Sequence, residues 1–417
     1  MISYTLVFFL VFEIKKIRQK FFSYFGLVLL TGCSSFGGLG GFGDFGDFGI
    51  SNLIDRFSSG KDEIQIDEEE IAALKALPTL PLIWKSKVSE SEIAVFEPIY
   101  ENGAIYTADE KGFLTRLDPL NGKETWQIKT KLKLSGGVGA GEGLVLVGTF
   151  NGEVHAFDES GGALWKARLT SEVLSAPQVH RGIVVVRTGD GRVFGLDAAD
   201  GSRKWVYQGV TPALTVRNFA GALVARGAVF VGLSGGKLIA MNMLNGNIGW
   251  EAAVSQPKGV TELERMTDIT SLPVIDDQQV CAVAYRGRIA CFEIMDGNQI
   301  WARDASSHVG LVMDNNYIYV SEERGAVVAY DKRSGAMMWK QAKLGTRKLS
   351  APQLVGGSSL LVVADAEGNV TLLNRYDGNL VARATTDESP IYSRPEYIPD
   401  GFIVQTSKGG IYAFLPQ

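Results

Sequence analysis

Residue types that often do chemistry occur in this sequence, but they are not grouped. The three histidines, His155, His180 and His308, lie far apart along the chain. A metal site needs several such residues at a defined spacing, and a catalytic base generally acts together with a nucleophile or an orienting partner. The sequence contains no zinc-spaced Cys/His set, calcium loop, nucleophile elbow or phosphate-binding glycine loop. We therefore expect no catalytic residues, no metal site and no cofactor.

Acidic and amide residues do recur at a fixed spacing, and this pattern could in principle supply metal ligands or catalytic carboxylates. Asp118 is followed by Gly122 and then by Trp126, and the pattern has seven copies, which begin at Asp118, Asp158, Asp197, Asn242, Glu293, Asp331 and Asn374. One residue is missing before Trp165, and Ala382 replaces the last Trp. A turn residue that accepts hydrogen bonds from the following amides, a Gly at positive φ and a packing Trp explain this spacing. We assign the repeat a structural role.

Strands must flank each of these turns. Apolar runs such as LVLVGT at 144–149 and IVVVRT at 183–188 precede the copies, and together they predict eight hairpins. A strand before each hairpin and a Trp-bearing strand after it make a unit of four antiparallel strands in about 40 residues, the size of a propeller blade. Residues 78–417 are therefore predicted to form an all-β, eight-bladed β-propeller.

The eighth copy of the repeat is divided between the two ends of the propeller sequence. Residues 410–414 begin this copy, and Trp84 lies in the segment PLIWKSKV that would supply its last strand. Pairing of these two segments in one blade would close the ring and remove a free sheet edge.

Cys33, the first of the three cysteines, follows a segment typical of an export signal. Residues 15–20 (KKIRQK) are basic, residues 21–30 (FFSYFGLVLL) are apolar, and small residues stand directly before the cysteine. The apolar run is too short to span a bilayer, which takes about 20 helical residues. We predict a signal peptide over residues 1–32.

The segment Leu30-Thr31-Gly32-Cys33 resembles a bacterial lipobox. This resemblance implies cleavage before Cys33 and attachment of fatty acids such as palmitate to that residue. Ser34 rather than Asp follows the cysteine, which by the same resemblance favours the outer membrane. Residues 33–77 are predicted to be a flexible tether, because residues 34–60 are rich in Gly and residues 62–70 are acidic. A short helix over residues 67–77 is compatible with the sequence.

Cys281 and Cys291 lie on the two strands of one predicted hairpin. With a two-residue turn at Arg286-Gly287, Cys291 would face Ala282 and Cys281 would point to the other side of the sheet. A three-residue loop would instead set the cysteines opposite each other. We expect buried thiols, although export would place them in an oxidising compartment.

The full sequence is acidic, with a formal net charge of −5, and it contains no Lys/Arg block beyond the N-terminal segment. This composition gives no electrostatic basis for binding nucleic acid.

The repeat, as in AFDESGGALW at 156–165, resembles that of pyrroloquinoline-quinone (PQQ)-type propellers. Two families share such repeats. Quinoprotein dehydrogenases bind the quinone and calcium in the ring and typically carry a vicinal Cys-Cys pair, which this sequence lacks. The BamB family, lipoproteins of the β-barrel assembly machinery (the BAM complex), is similar over the lipobox and essentially all of residues 78–417. The most specific segments are SEVLSAPQV at 171–179, TPALTVRN at 211–218, TELERMTDITSLPVI at 261–275 and RKLSAPQLV at 347–355.

Two of these segments fall where the repeat is longest. Trp205 and Trp250 are 45 residues apart, and Trp250 and Trp301 are 51 apart, beyond the separations of the other copies. Extra residues in propellers collect in loops on one face, which is often the binding face.

The resemblance implies that these loops dock on BamA, the membrane-embedded insertase, through its periplasmic POTRA domains. By motif, Leu214 and Val216 would be apolar contacts, Arg217 would pair with a carboxylate of the partner, and Asp268 would add a polar contact. The family often has a second acidic residue where this sequence has Thr270, which alters the acidic part of the contact. Packing within the loop is the alternative role for Leu214 and Val216.

The function implied by the resemblance is that of a non-enzymatic scaffold lipoprotein of the BAM complex. It would be lipid-anchored at Cys33 on the periplasmic face of the outer membrane and would assist the folding and insertion of unfolded outer-membrane β-barrel clients. The alternatives are a PQQ-dependent periplasmic dehydrogenase and a periplasmic interaction propeller with another partner.

Overall fold

The computed structural model describes residues 68–210, 212, 214–216, 219–344 and 348–416. The predicted signal peptide, Cys33 and most of the predicted tether lie outside the described residues. The first described element is a helix, α1 (Glu68–Lys75), with three glutamates in its first turn and Lys75 in its last, which complements the helix dipole. Among the described residues no helix is long and apolar enough to cross a membrane.

The remaining elements are strands, which form antiparallel sheets of four, here called blades. The first strand, β1 (Leu82–Lys87), belongs to the last blade. Blade 1 contains β2 (Ile99–Glu101), β3 (Ala104–Ala108), β4 (Phe113–Leu117) and β5 (Glu124–Lys129). Blade 2 contains β6 (Leu134–Gly141), β7 (Leu144–Thr149), β8 (Glu153–Asp158) and β9 (Ala163–Arg168). Blade 3 contains β10 (Gln178–His180), β11 (Ile183–Arg187), β12 (Arg192–Asp197) and β13 (Arg203–Gln208).

The other five blades continue this order. Blade 4 contains β14 (Leu223–Ala225), β15 (Ala228–Gly232), β16 (Lys237–Asn242) and β17 (Ile248–Ala253). Blade 5 contains β18 (Val274–Ile275), β19 (Gln279–Val283), β20 (Gly287–Glu293) and β21 (Gln299–Ala305). Blade 6 contains β22 (Leu311–Met313), β23 (Tyr317–Ser321), β24 (Val327–Asp331) and β25 (Met337–Gln341). Blade 7 contains β26 (Gln353–Leu354), β27 (Leu360–Ala364), β28 (Asn369–Asn374) and β29 (Leu380–Thr385), and blade 8 contains β30 (Glu396–Ile398), β31 (Gly401–Gln405), β32 (Gly410–Phe414) and β1.

The predicted eight-bladed propeller is confirmed. The second strand of a blade is covered on both faces by its neighbours, so β11 and β27 are buried along their whole length and read as continuous apolar runs. The outermost strands are more exposed: exposed residues alternate with half-buried ones in the second half of β5, and β13 adds one buried residue, Trp205. Among the described residues the apolar core consists of eight clusters, one between each pair of adjacent blades, and one of these joins blade 8 to blade 1.

The Trp residues connect neighbouring blades. Each indole N–H donates to a backbone carbonyl of the next blade at 2.8–3.0 Å. The ring also packs on the turn Gly of that blade: Gly201 has φ +74°, and a Cβ there would stand 2.5 Å from the ring of Trp165. This contact explains why the repeat needs Gly. In the shortened second copy Gly161 rather than Gly162 takes the positive φ, so the sequence pattern was wrong there by one position.

Closure of the ring follows the prediction and also explains the missing Trp of the last copy. Strand β1 pairs with β32, and Trp84 lies opposite Ala413. At the joint between blades 7 and 8, buried Leu80 belongs to the same cluster as Ala382. The Leu80 amide donates to the Arg383 carbonyl at 3.0 Å. Leu80 therefore occupies space at a joint where Ala stands in place of Trp.

The cysteine prediction was wrong. Cys281 and Cys291 form a disulfide between β19 and β20, and both are fully buried. The Ala284 amide donates to the Arg288 carbonyl, which leaves a three-residue loop, Tyr285 to Gly287, at the tip of the hairpin. This loop length places the two cysteines directly opposite each other, the alternative in which a bond is geometrically possible.

Candidate functional site

The two faces of the ring differ in their connections. Because the strands are antiparallel, the turns of the Asp/Gly repeat lie on one face, here called the turn face. The blade-to-blade connections and the tips between second and third strands lie on the other, here called the loop face. A cavity of about 840 Å³ lies among the connections that enter the eight blades on the loop face, and its lining includes Phe96, Gln178, Val216, Thr270, His308 and Glu396. Two predicted docking residues, Val216 and Thr270, therefore border one cavity.

The connection from blade 3 to blade 4 carries the predicted apolar contacts. The Leu214 side chain is 43% exposed, and Val216 is half-buried. Pro212 packs at the tip of the next blade, 3.7 Å from where a Cβ on Gly235 would stand. Arg217 lies outside the described residues, so its predicted pairing stays a prediction.

Asp268 holds the backbone of this connection through a hydrogen bond. Its side chain is buried, at 1% exposure, and its two carboxylate oxygens accept hydrogen bonds from the Val216 amide at 2.7 Å and the Gly235 amide at 2.9 Å. Its own carbonyl accepts from the Tyr285 amide at 2.8 Å. The predicted direct contact of Asp268 with a partner stays untested. The geometry assigns it a positioning role, because it joins the docking connection to blades 4 and 5.

Arg187, at the end of β11, is a second positioning residue, and the sequence analysis missed it. Its side chain is only 7% exposed, and Nη1 donates to the Ala220 carbonyl at 3.2 Å. Burial lowers the pKa of Arg187 to about 10, and the negative charge of Asp268 opposes this shift. The guanidinium therefore stays protonated at neutral pH. The available signal was an Arg that ends the otherwise apolar run IVVVR.

Thr270 is also buried, at 7% exposure. Its hydroxyl donates to the His308 carbonyl at 2.9 Å and so connects the entry to blade 5 with the entry to blade 6. An ionised carboxylate could not donate to that carbonyl. The local structure thus gives a reason for Thr, rather than an acid, at this position in this sequence.

The described residues bring together no evident reactive set. No group of three or more His, Cys, Asp or Glu side chains among them could hold a metal ion. The repeat carboxylates serve their own turns: Asp158 Oδ1 accepts from the amides of Ser160 at 2.8 Å and Gly162 at 2.9 Å. Hydrogen bonds from Ser160 and these amides hold the pKa of Asp158 below its ordinary value.

Comparison with known proteins identifies relatives over almost the whole chain. A family model described as outer membrane protein assembly factor BamB matches residues 110–341 and 323–415. The protein of that name from Nitrosomonas eutropha is 59% identical over 394 residues, which cover 94% of this chain and 93% of the relative. The one from Bordetella pertussis is 37% identical over 93% of this chain and 94% of the relative.

Solved structures show the same fold. BamB from Moraxella catarrhalis superposes with a TM-score of 0.74 at 24% identity and covers 81% of this chain and all of that one. A quinohemoprotein alcohol dehydrogenase from Comamonas testosteroni superposes with a TM-score of 0.66 at 13% identity and covers 84% of this chain and 78% of its own. At these identities the superpositions establish the architecture alone.

Proposed function

The chain belongs to the BamB family of outer membrane protein assembly factors, and we propose that it acts as a scaffold of the BAM complex by docking on the periplasmic POTRA domains of BamA. The observation that carries this proposal lies in the connection between blades 3 and 4, where Leu214 is exposed while Asp268 and Arg187 bond to the backbone at Val216 and Ala220. The family relationship favours this function over a quinone-dependent dehydrogenase.

The hydrogen bonds at Val216 and Ala220 suit a docking role for an energetic reason. Binding costs conformational entropy when a segment must be ordered, and these bonds already hold the backbone at two positions, which lowers that cost. Leu214 offers an apolar side chain, and the backbone amide of Val216 is already satisfied by Asp268. Arg217 would add a charged contact to a carboxylate of the partner, which favours recognition and orientation.

The proposed role needs no catalysis. In the described part of the chain the repeat carboxylate Asp158 is engaged in its turn, and no metal-binding group is assembled. A scaffold works by holding two molecules near each other, which raises their effective concentration without new chemistry.

The proposed location is the periplasmic face of the outer membrane. Cleavage of the signal peptide, residues 1–32, would expose Cys33 for lipidation, and fatty-acid chains on that residue would anchor the chain stably. Residues 33–77 would then act as the tether between anchor and propeller, with α1 (Glu68–Lys75) near its end.

The proposed clients are unfolded outer-membrane β-barrel proteins. The outermost strand forms the edge of its blade. In blade 7 residues 78–80 already bond to this edge at Arg383, but an extended client segment can add to an unpaired edge through backbone hydrogen bonds. Strand β25 shows the surface that such a segment would meet, with Met337 and Met338 exposed beside this edge.

Charge reversal at Arg217 tests the docking proposal. We expect Arg217→Glu to reduce co-purification with BamA from envelope extracts at least tenfold, because one unfavourable charge contact costs over about 1.4 kcal/mol. Arg226→Glu, an exposed cation on the turn face, is the matched control and should leave recovery unchanged. Undiminished recovery of the Arg217 variant would count against the proposal.

A further inference from the structure

The longest blade-to-blade connection, residues 254–273 between blades 4 and 5, presents two apolar side chains to solvent. Val260 is 95% exposed and Leu263 is 56% exposed. Single exposed apolar residues are common on protein surfaces. This pair differs because both side chains stand on one ordered turn.

Reciprocal hydrogen bonds order that turn. Glu264 Oε2 accepts from the amides of Val260 at 2.9 Å and Thr261 at 3.1 Å, and Thr261 Oγ1 accepts from the Glu264 amide at 3.2 Å. This is the capping-box arrangement, which satisfies amides at the start of a helical turn. The Arg265 amide then donates to the Thr261 carbonyl at 3.0 Å. The turn is therefore held by its own side chains rather than by packing of Val260 or Leu263.

The two ends of the connection converge on the disulfide-bonded hairpin of blade 5. A Cβ on Gly287 would stand 2.6 Å from Ser255 Oγ and 2.7 Å from Thr267 Oγ1, so the start and the end of the connection meet at this Gly. Arg286 Nη1 also reaches the Leu263 carbonyl at 3.5 Å. The exposed pair thus projects from a fixed base.

This base lies beside the docking connection. The tip of blade 4 separates the two: Pro212 packs at Gly235, and the Ser255 carbonyl would lie 2.5 Å from a Cβ on Gly236. Asp268, near the end of the longer connection, holds both Val216 and Gly235. The exposed side chains of Leu214 and Val260 therefore belong to adjacent connections of the loop face.

A stable protein–protein interface is larger than the surface that one connection provides. Specific complexes bury about 800 Å² on each partner, contributed by about 20 residues. A partner that covers Leu214 must therefore extend over a neighbouring part of the loop face. Val210, which is 97% exposed, lies on the same connection as Leu214, and the exposed Val260 and Leu263 lie on the next connection.

We propose that Val260 and Leu263 form a second apolar contact for the folded periplasmic domain that docks at Leu214, so that one partner spans the tip of blade 4. The inference rests on the proposed function and deepens it. The partner surface must then offer two apolar patches, one for each connection, and the blade 4 tip must fit between them. Neither contact alone accounts for the full affinity.

A double variant tests this contact with purified chain and the purified periplasmic region of BamA. Val260→Ser/Leu263→Ser should weaken binding about tenfold, mainly through faster dissociation, and should leave the thermal unfolding midpoint unchanged because both side chains are exposed. Leu244→Ser/Met295→Ser is the matched control: these residues are 62% and 86% exposed on turns of the turn face of the same two blades, and affinity should not change.

The outcomes separate the two proposals. If the Val260/Leu263 variant binds within twofold of the parent while Leu214→Asp binds weakly, the second contact is wrong and the docking proposal stands. If neither variant weakens binding, the docking proposal itself fails. If the double variant changes only self-association of the chain, measured by sedimentation, the surface belongs to a second copy and the inference is overturned.

Discussion

The turn face and the loop face of this ring are built in opposite ways. On the turn face the same hydrogen-bonded turn recurs. The Gly122 amide donates to the Asp118 carbonyl at 2.8 Å, and near the C-terminal end of the chain the Gly378 amide donates to the Asn374 carbonyl at 2.8 Å. On the loop face the connections that enter blades 4 and 5 are each held by residues used once, such as Arg187 and Asp268. The repeated Asp/Gly/Trp turns build the ring. The candidate docking site lies in the connections that lengthen the repeat between blades 3 and 5.

The physical reason for this division is that the joints between blades do not depend on the loop face. Each Trp joins its blade to the next through a turn on the opposite face. Connections on the loop face can therefore lengthen without loss of the core. Substitutions at the blade joints of the turn face should therefore affect folding, and substitutions on the exposed connections of the loop face should affect binding.

The largest expected effect is on folding, at the joint that closes the ring. Trp84 is buried, and its indole donates to the Pro119 carbonyl at 2.8 Å. Trp84→Ala should lower the free energy of unfolding by about 3–5 kcal/mol, as truncation of a buried Trp generally does. Affinity for BamA, measured well below the unfolding midpoint, should match the parent. If Trp84→Ala lowered the affinity for BamA but left the stability unchanged, the proposed difference between the two faces would be wrong.

A smaller loss of stability is expected at the base of the loop face. The Cys281–Cys291 disulfide closes a segment with a sequence separation of 10. Chain-entropy arguments give about 2.5 kcal/mol for a loop of this size, so Cys281→Ala/Cys291→Ala should lower the denaturation midpoint by a corresponding amount. A reductant should destabilise the parent and leave the double variant unaffected. Equal sensitivity of both proteins to the reductant would contradict the bond.

One chemical change, Asp to Asn, compares the two faces directly. Asp268→Asn leaves one oxygen to accept from two amides, so one buried donor loses its partner, and Arg187 loses a nearby negative charge. The expected cost is about 1–3 kcal/mol of stability together with about tenfold weaker BamA binding.

Asp331→Asn on the turn face is the matched control. Asn already stands at the equivalent place in two copies of the repeat, where Asn242 and Asn374 accept the same turn amide. This variant should cost under about 0.5 kcal/mol and leave binding intact. Equal effects of the two Asn substitutions would remove the contrast between the faces.

The smallest expected effect depends on pH and lies at the closing seam. Glu396 borders the cavity, and its Oε1 accepts from the Tyr100 amide at 3.2 Å. Burial raises the pKa of Glu396 to about 7, with a further rise from Glu97, while the Tyr100 amide opposes the shift. Because the folded state binds this proton more tightly than the unfolded state, stability should fall as pH rises from about 4.5 to 7.

Glu396→Gln should remove this dependence. Gln keeps an oxygen for the Tyr100 amide and carries no charge, so it should stabilise the fold by about 1–2 kcal/mol at pH 8 and have no effect at pH 4. Urea denaturation at several pH values measures the difference. A gain that is equal at both pH values would show that the charge of Glu396 is not its cause.

The sequence predicted the repeated parts of this molecule well and the single-use parts poorly. Spacing of Asp, Gly and Trp was enough for the blades and for the pairing of Trp84 with the last strand, because the same local chemistry recurs. The cysteine pair was misjudged because Arg286-Gly287 is compatible with turns of two or three residues, and only the pairing of Ala284 with Arg288 decides between them.

The candidate site was only partly accessible to sequence reasoning. Motif similarity identified Leu214 and Asp268 but not their different surroundings, one exposed and the other buried beneath the loop. Arg187 was missed because its partners, the Ala220 carbonyl and the charge of Asp268, lie on segments distant in sequence. Such long-range contacts depend on the packing of three blades and leave no local pattern.

The most direct test of the docking account is a titration of Leu214→Asp against the purified periplasmic region of BamA, with thermal unfolding of the same sample. The account predicts at least about 30-fold weaker binding, or about 2 kcal/mol, with an unfolding midpoint equal to that of the parent. Parental affinity in the stably folded variant would contradict it.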